Sequence, residues 1–291
     1  MRLSHEDVKL FYKLNMSLLV FVNNQLNIFK NVRTVEDFNE LDFNDKVKIR
    51  DALYENIQLL KKFYEENPAN LTEKELSIVL GWKNFLQGKF WVYKQYKKHC
   101  VFLDDENEKK AYGVLSLIDD FADMVPDFPA YVHTVLLPFK DHIIYDGVMG
   151  GYPVYFGSGI RGSIKDEYDK AKALYGIIEQ LPFKTPPKAE RDAGLLRYYL
   201  KDEANRDFYY DEIYALVEKN AALKAVYYEE IGKINSRLLK KRLKAKGVKK
   251  CWFAVLEDVI VASGKDEKEA RQNAEKILPQ DMKPFLYLFK L

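Results

Sequence analysis

His133, Asp146 and Tyr155 are an imidazole, a carboxylate and a phenol on three consecutive strand-like runs, about 130–137, 142–148 and 152–157. With Pro138–Asp141 as the first turn, residue 137 faces 142 and His133 faces Asp146. With Gly150-Gly151 as a two-residue turn, Asp146 also faces Tyr155. Such a row suits catalytic acid–base work, because the carboxylate fixes the imidazole tautomer and raises its basicity. A hydrogen-bonded polar row that only fixes strand register would use the same residues. Pro153 lacks an N–H and suits an edge strand, which leaves Tyr155 near a rim.

Directly afterwards GSGIRG (157–162) opens onto a helix. Gly157, Gly159 and Gly162 allow φ > 0 and let successive N–H groups point together. The helix start adds partial positive charge, so with Arg161 and Lys165 the segment reads as an anion-binding site. Its glycine spacing also matches a dinucleotide fingerprint. That fold needs a second parallel strand ending in Asp or Glu about twenty residues on. Leu181-Pro-Phe-Lys-Thr-Pro-Pro stands there instead, and it excludes the strand. A strand-to-helix turn that needs small residues is the simplest account.

Between Lys233 and Lys250 stand nine cations and no acid. Arg237, Lys240, Lys241, Arg242, Lys244 and Lys246 form its centre, a helix suited to neutralising phosphates of DNA or RNA. Cations also stabilise a helix C-terminus through its dipole, and Glu229, Glu230 and the acids of 257–275 can offset them. A fourth group is Asp119, Asp120, Asp123 and Asp127, of which Asp119 and Asp123 share a face if the segment is helical. That spacing can hold Mg²⁺, but no EF-hand glycine or terminal Glu accompanies it, and no metal or cofactor is assigned.

The 291-residue chain is 47% hydrophobic and 31% charged, which is globular and excludes disordered and collagen-like classes. Its net charge of +2, from 46 basic and 44 acidic residues, leaves any polyanion argument to local clustering. Cys100 and Cys251 are too few for a disulfide framework or zinc knuckle. His5, His99, His133 and His142 lack the HExxH spacing. No stretch approaches a membrane span and no cationic leader precedes Leu18–Val22, so the expectation is a soluble cytoplasmic protein without membrane contact.

Helical periodicity predicts helices over 5–30, 44–66 and from Thr72 to near Gly88, the last with Thr72 and Glu75 as a capping box. Period-two runs then predict strands at Phe90–Tyr96, His99–Leu103 and Lys110–Leu117, and a short acidic helix near 118–124. The three strands already named follow, and short connections favour an antiparallel meander. A helix over 163–181 closes this part. Leu181–Lys188, with three prolines, reads as a linker. Helices near 188–200, 204–219 and 221–246 come next, then a hairpin around Glu257-Asp258, a helix capped by Asp266, and a strand Phe285–Phe289.

GKDEKEARQNAEKIL (264–278) after a helix and hairpin partly resembles the end of a double-stranded-RNA-binding domain. In that family a Ser-Lys-Lys-x-Ala-Lys run opens the second helix and its lysines meet phosphates. Lys268, Ala270 and Arg271 match, whereas Asp266 and Glu267 stand where Ser and the first Lys would, and the strand order differs. FAVLEDVIVASGKD is similar to a small uncharacterised prokaryotic hairpin–helix–strand module, and LPFKDHIIYDG to uncharacterised bacterial proteins; neither implies an activity.

The expected fold is α+β: an N-terminal helical layer on an antiparallel meander with a closing helix (1–181), a linker (182–188), a helical segment (189–247) and a β-β-α-β module (248–291). The leading function is a non-enzymatic binding protein that contacts nucleic acid or another anionic partner, such as an acidic protein, through 233–250 and 157–165. An enzyme on a phosphorylated or nucleotide substrate, centred on His133, Asp146 and Arg161, is the second reading. The third is a protein-interaction or inhibitor role, suited to 20 Tyr and 18 Phe.

Overall fold

A computed structural model describes residues 2–125, 127–152 and 155–291. The chain divides into two compact units, Met1–Thr185 and Pro186–Leu291, and the arrangement is α+β.

In the first unit, α1 (His5–Leu26) starts where Ser4 Oγ accepts the Asp7 N–H, and it buries Phe11, Leu14, Leu18 and Phe21. A short helix, α2 (Val35–Glu40), is set by reciprocal Thr34–Asp37 capping rather than by an apolar stripe. The helix expected over 44–66 is two helices, α3 (Phe43–Glu55) and α4 (Leu59–Glu66). Asn56 ends the first, and its side-chain amide donates back to Ala52 O at 2.9 Å. Helix α5 (Glu73–Gly81) carries the expected box: Thr72 N–H donates to Glu75 Oε2 at 2.8 Å, and Thr72 Oγ1 accepts from Glu75 N–H. It stops short of Gly88 because β1 (Leu86–Gln95) has already begun.

Strands β2 (Cys100–Asp104) and β3 (Ala111–Leu115) follow, then α6 (Phe121–Met124), β4 (Ala130–Phe139), β5 (His142–Gly151), α7 (Ser158–Tyr175) and β6 (Ile177–Ile178). The sheet is mixed. Antiparallel pairs join β1 to β2 and β4, β2 to β3, and β4 to β5, whereas β3 runs parallel to β5 and β6. Because β2 pairs with both β1 and β3, strands β1-β2-β3-β5-β4 close into a ring. The meander fails between β3 and β4, where the chain crosses by α6 and β5 returns beside β3. Phe121 of α6 packs into the ring, 4.9 Å from Phe102 and 5.5 Å from Tyr145. Of the strand expected at 152–157, Tyr152 and Tyr155–Gly157 lie in no strand, and Pro153 and Val154, with the edge-strand reading of Pro153, fall outside the described residues.

Alternation along the strands divides two cores. Phe90, Val92, Phe102, Tyr112 and Val114 join the N-terminal helices. Val101, Leu103 and Ala111 face the other way, under Ile164, Tyr168 and Ala171 of α7.

The second unit opens with α8 (Lys188–Leu200), α9 (Glu203–Phe208) and α10 (Tyr210–Val217), the helix expected at 204–219 being broken at Tyr209. Helix α11 (Ala221–Ala245) leads into β7 (Trp252–Leu256), β8 (Val259–Gly264), α12 (Glu267–Glu275) and β9 (Tyr287–Lys290). The three strands form an antiparallel sheet in the order β8-β7-β9. Leu239 and Leu243 of α11 cover one face through Phe253, Val255 and Phe289, and Ala274 of α12 covers the other through Ala254 and Leu286. Helical segment and module therefore share a core. Among the described residues no helix is long and apolar enough to cross a membrane.

Candidate functional site

Strands β4 and β5 turn at Lys140-Asp141, with Lys140 left-handed at φ 52, so Phe139 pairs with His142 and Leu137 with Ile144. The expected 137–142 pairing is therefore shifted. A bulge between Thr134 and Leu136 then absorbs extra residues of β5, helped by Gly147 at φ +93. His133 consequently opposes Gly150 on one side and Lys89 on the other, and it does not face Asp146. Tyr155 lies outside the sheet and is 79% exposed. The acid–base row is not assembled; both the tight turn and the bulge are invisible to arithmetic on loop length.

Asp146 is buried and already engaged. Arg50 Nε donates to its Oδ2 at 2.6 Å, Tyr54 OH donates to the same oxygen at 3.1 Å, and the Val148 N–H donates to Oδ1 at 3.2 Å. Burial pushes the Asp146 carboxyl above its usual range while Arg50 opposes the rise, and the sealed Tyr54 phenol is pushed well up. Arg50 Nη1 also reaches Asp51 at 2.7 Å, and its Nη2 is buried without a hydrogen-bond partner among the described residues. This cluster ties α3 to the β5 bulge.

At 157–165 the backbone departs from the expected loop. Helix α7 starts at Ser158, so Gly159 and Gly162 are helical, and neither they nor Gly157 takes positive φ. No nest forms. Arg161 turns inward: Nε donates to Phe156 O at 2.9 Å, Nη1 to Phe128 O at 2.7 Å, and Nη2 pairs with Asp127. Lys165 is held by Asp169 at 2.8 Å. Arg161 thus clips the helix start to the segment before β4, and Lys165 is spent on an i,i+4 pair within α7.

Helix α11 runs through the basic stretch and ends at Lys246, followed by Gly247 at φ +72. Arg237, Lys240, Lys241 and Lys244 fall at i, i+3, i+4 and i+7, one stripe beside the Leu239–Leu243 packing edge. Lys240 rests 5.4 Å from the Phe289 ring centroid. Arg237, Lys241, Arg242, Lys244 and Lys246 are exposed, and among the described residues none of them has an ion-pair partner. Glu229 and Glu230 pair with Lys233 instead, at 2.6 and 3.0 Å. The acids of 257–275 do not fold back onto the stripe as ion pairs.

Asp119 precedes α6 and shares no helical face with Asp123, while Asp127 is bound to Arg161. Among the described residues no group of His, Cys, Asp and Glu is arranged to hold a metal ion. Both cysteines are free, and burial pushes the Cys100 thiol up to about 12, away from reactivity.

Sequence reasoning missed a groove of about 1040 Å³ in the first unit. It lies among the N-terminal residues, the β1–β2 turn, the β4–β5 turn and the segment after β6, with Lys98, His99, His142 and Glu179 on its walls. His99 Nδ1 stands 3.0 Å from Glu179 Oε1. Asp7, at one edge, is held below the usual carboxylate range chiefly by Lys140. No spacing rule joins residues from such distant segments.

No protein-family model, curated protein or solved structure matches the chain.

Proposed function

We propose that the protein is a non-enzymatic nucleic-acid-binding protein whose contact surface is the C-terminal half of α11 and the turn behind it. The observation that carries this reading is the exposed set Arg237, Lys241, Arg242, Lys244 and Lys246, without an ion-pair partner among the described residues, on a helix held to a sheet through Leu239 and Leu243. A rigid row of fixed charges neutralises phosphates without first ordering its own backbone. Helix-end stabilisation accounts for cations in the last turn only, and Arg237 and Lys241 lie before it. The glycine segment 157–165 has no part in this surface, since Arg161 and Lys165 are engaged within the protein. The same engagement of Arg161 and Asp146 weighs against an enzyme centred on them.

Fluorescence anisotropy with mixed-sequence DNA and RNA oligomers, titrated with salt, tests the reading. Affinity should fall steeply, with a log–log slope of about 0.9 per phosphate contacted on duplex DNA and about 0.7 on single strands. Replacing Arg237, Lys241 and Lys244 together by Glu should remove most of that slope while the circular-dichroism spectrum is retained. Absence of binding at low salt, or a variant that binds as wild type does, would reject it.

A further inference from the structure

We propose that the groove in the first unit binds a phosphate ester of about mononucleotide size, held by Arg2, Lys98, Lys184 and the ring of His99. The site is independent of the basic helix.

Three fixed cations from three distant segments line one concavity, and His99 and His142 stand beside them. Lys98 and Lys184 have no ion-pair partner among the described residues. Arg2 Nη1 donates to Ile118 O at 3.1 Å, and its Nε stands 3.9 Å from Asp120. Of the carboxylates on the walls, Asp7 is neutralised by Lys140, Glu179 faces His99, and Asp141 stands against the three cations. The unspent charge is positive, and it suits a dianion.

His99 is the built part of the site. Its residue is 9% exposed, its Nδ1 looks at Glu179, and its Nε2 has no hydrogen-bond partner among the described residues. Nε2 is not among the buried side-chain nitrogens without a partner, so solvent reaches it, and a ligand oxygen can take the place of water there. With Nδ1 facing Glu179, Nε2 is the ring nitrogen left to meet the phosphate. Its position is fixed by β3: a Cβ at Gly113 would stand 3.0 Å from both Cγ and Nδ1 of His99. Leu115, Ile177 and Phe183 supply an apolar wall for the body of the ester. The volume, about 1040 Å³, lies just above the roughly 300–1,000 Å³ usual for small-molecule sites.

Histidine side-chain NMR on the full chain, titrated with adenosine 5′-monophosphate, inorganic phosphate and adenosine, tests the proposal. Both phosphate compounds should shift the ring signals of His99 and His142, the nucleotide binding more tightly than phosphate alone, and adenosine at least about tenfold more weakly than the nucleotide. Lys98→Glu with Lys184→Glu should cost at least about tenfold in nucleotide affinity, as should His99→Phe. The triple Glu variant of α11 should leave it unchanged. Adenosine binding as well as its monophosphate, no shift with either phosphate compound at millimolar concentration, or full affinity in the folded Lys98/Lys184 variant would each overturn it.

Discussion

Arg50 Nε and Asp146 Oδ2 meet at 2.6 Å although 96 residues separate them, and their side chains are 8% and 0% exposed. The pair couples the N-terminal helices to the β5 bulge, so its loss should be felt as lost stability. Removing the cation alone strands a buried carboxylate.

Arg50→Met should therefore destabilise the first unit by about 3–5 kcal/mol, the range for breaking one side of a buried pair. The double change Arg50→Met with Asp146→Leu should recover much of that, since it leaves no charge behind. Urea unfolding of the three proteins settles the matter. A single variant within about 1 kcal/mol of wild type would mean that water already reaches the carboxylate.

Glu75 gives a prediction for acid. Its bond from Lys13 at 2.6 Å and those from Thr72 hold its carboxyl down from 4.5 to about 2. A lowered folded-state value contributes stability above the unfolded value that is lost as pH falls through the folded one. Unfolding free energy should thus decline from about pH 4.5 toward about pH 2, and Glu75→Gln should be less stable at neutral pH with a shallower decline. Parallel slopes for the two proteins would show that the capping box carries no proton linkage.

The capping box was legible because both partners lie three residues apart and the physics is local. So were α1, the hairpin at Glu257-Asp258 and the end of α11 at Gly247, all fixed by neighbours in sequence. The parallel β3–β5 pairing was not legible, because it depends on how α6 carries the chain across the ring. Residue types alone made Arg161 look like an anion ligand, whereas its partners Phe128 and Asp127 come from a loop 33 and 34 residues away. The groove failed for the same reason, since His99 and Glu179 become neighbours only when β6 joins β3.

Gly232 lies on the face of α11 that approaches β9. A Cβ there would stand 2.7 Å from Tyr287 Cγ and closer still to Tyr287 Cβ. Gly232→Ala gains helix propensity of roughly 1 kcal/mol, but it must push α11 off the sheet, and overpacking of this kind typically costs about 1–3 kcal/mol or more. We expect net destabilisation of the second unit, with exposure of the Phe253–Phe289 core to a hydrophobic dye. A more stable variant would show that helix and sheet separate freely.

Lys184 precedes the boundary between the two units and is exposed, as are Thr185 and Lys188. Leu181 and Phe183 pack partly into the first core, so the chain is anchored up to the point where it becomes accessible. Prolines at 182, 186 and 187 keep this stretch out of helix and ladder. Limited trypsin digestion should cut first after Lys184 or Lys188 and release two fragments that resist further digestion, because each contains its own core. Lys184 also lines the groove, so adenosine 5′-monophosphate should slow the cut after Lys184 more than the cut after Lys188. Resistance at both lysines while the folded chain is cut elsewhere would refute the two-unit division. Equal rates at Lys184 with and without the nucleotide would count against the groove as its site.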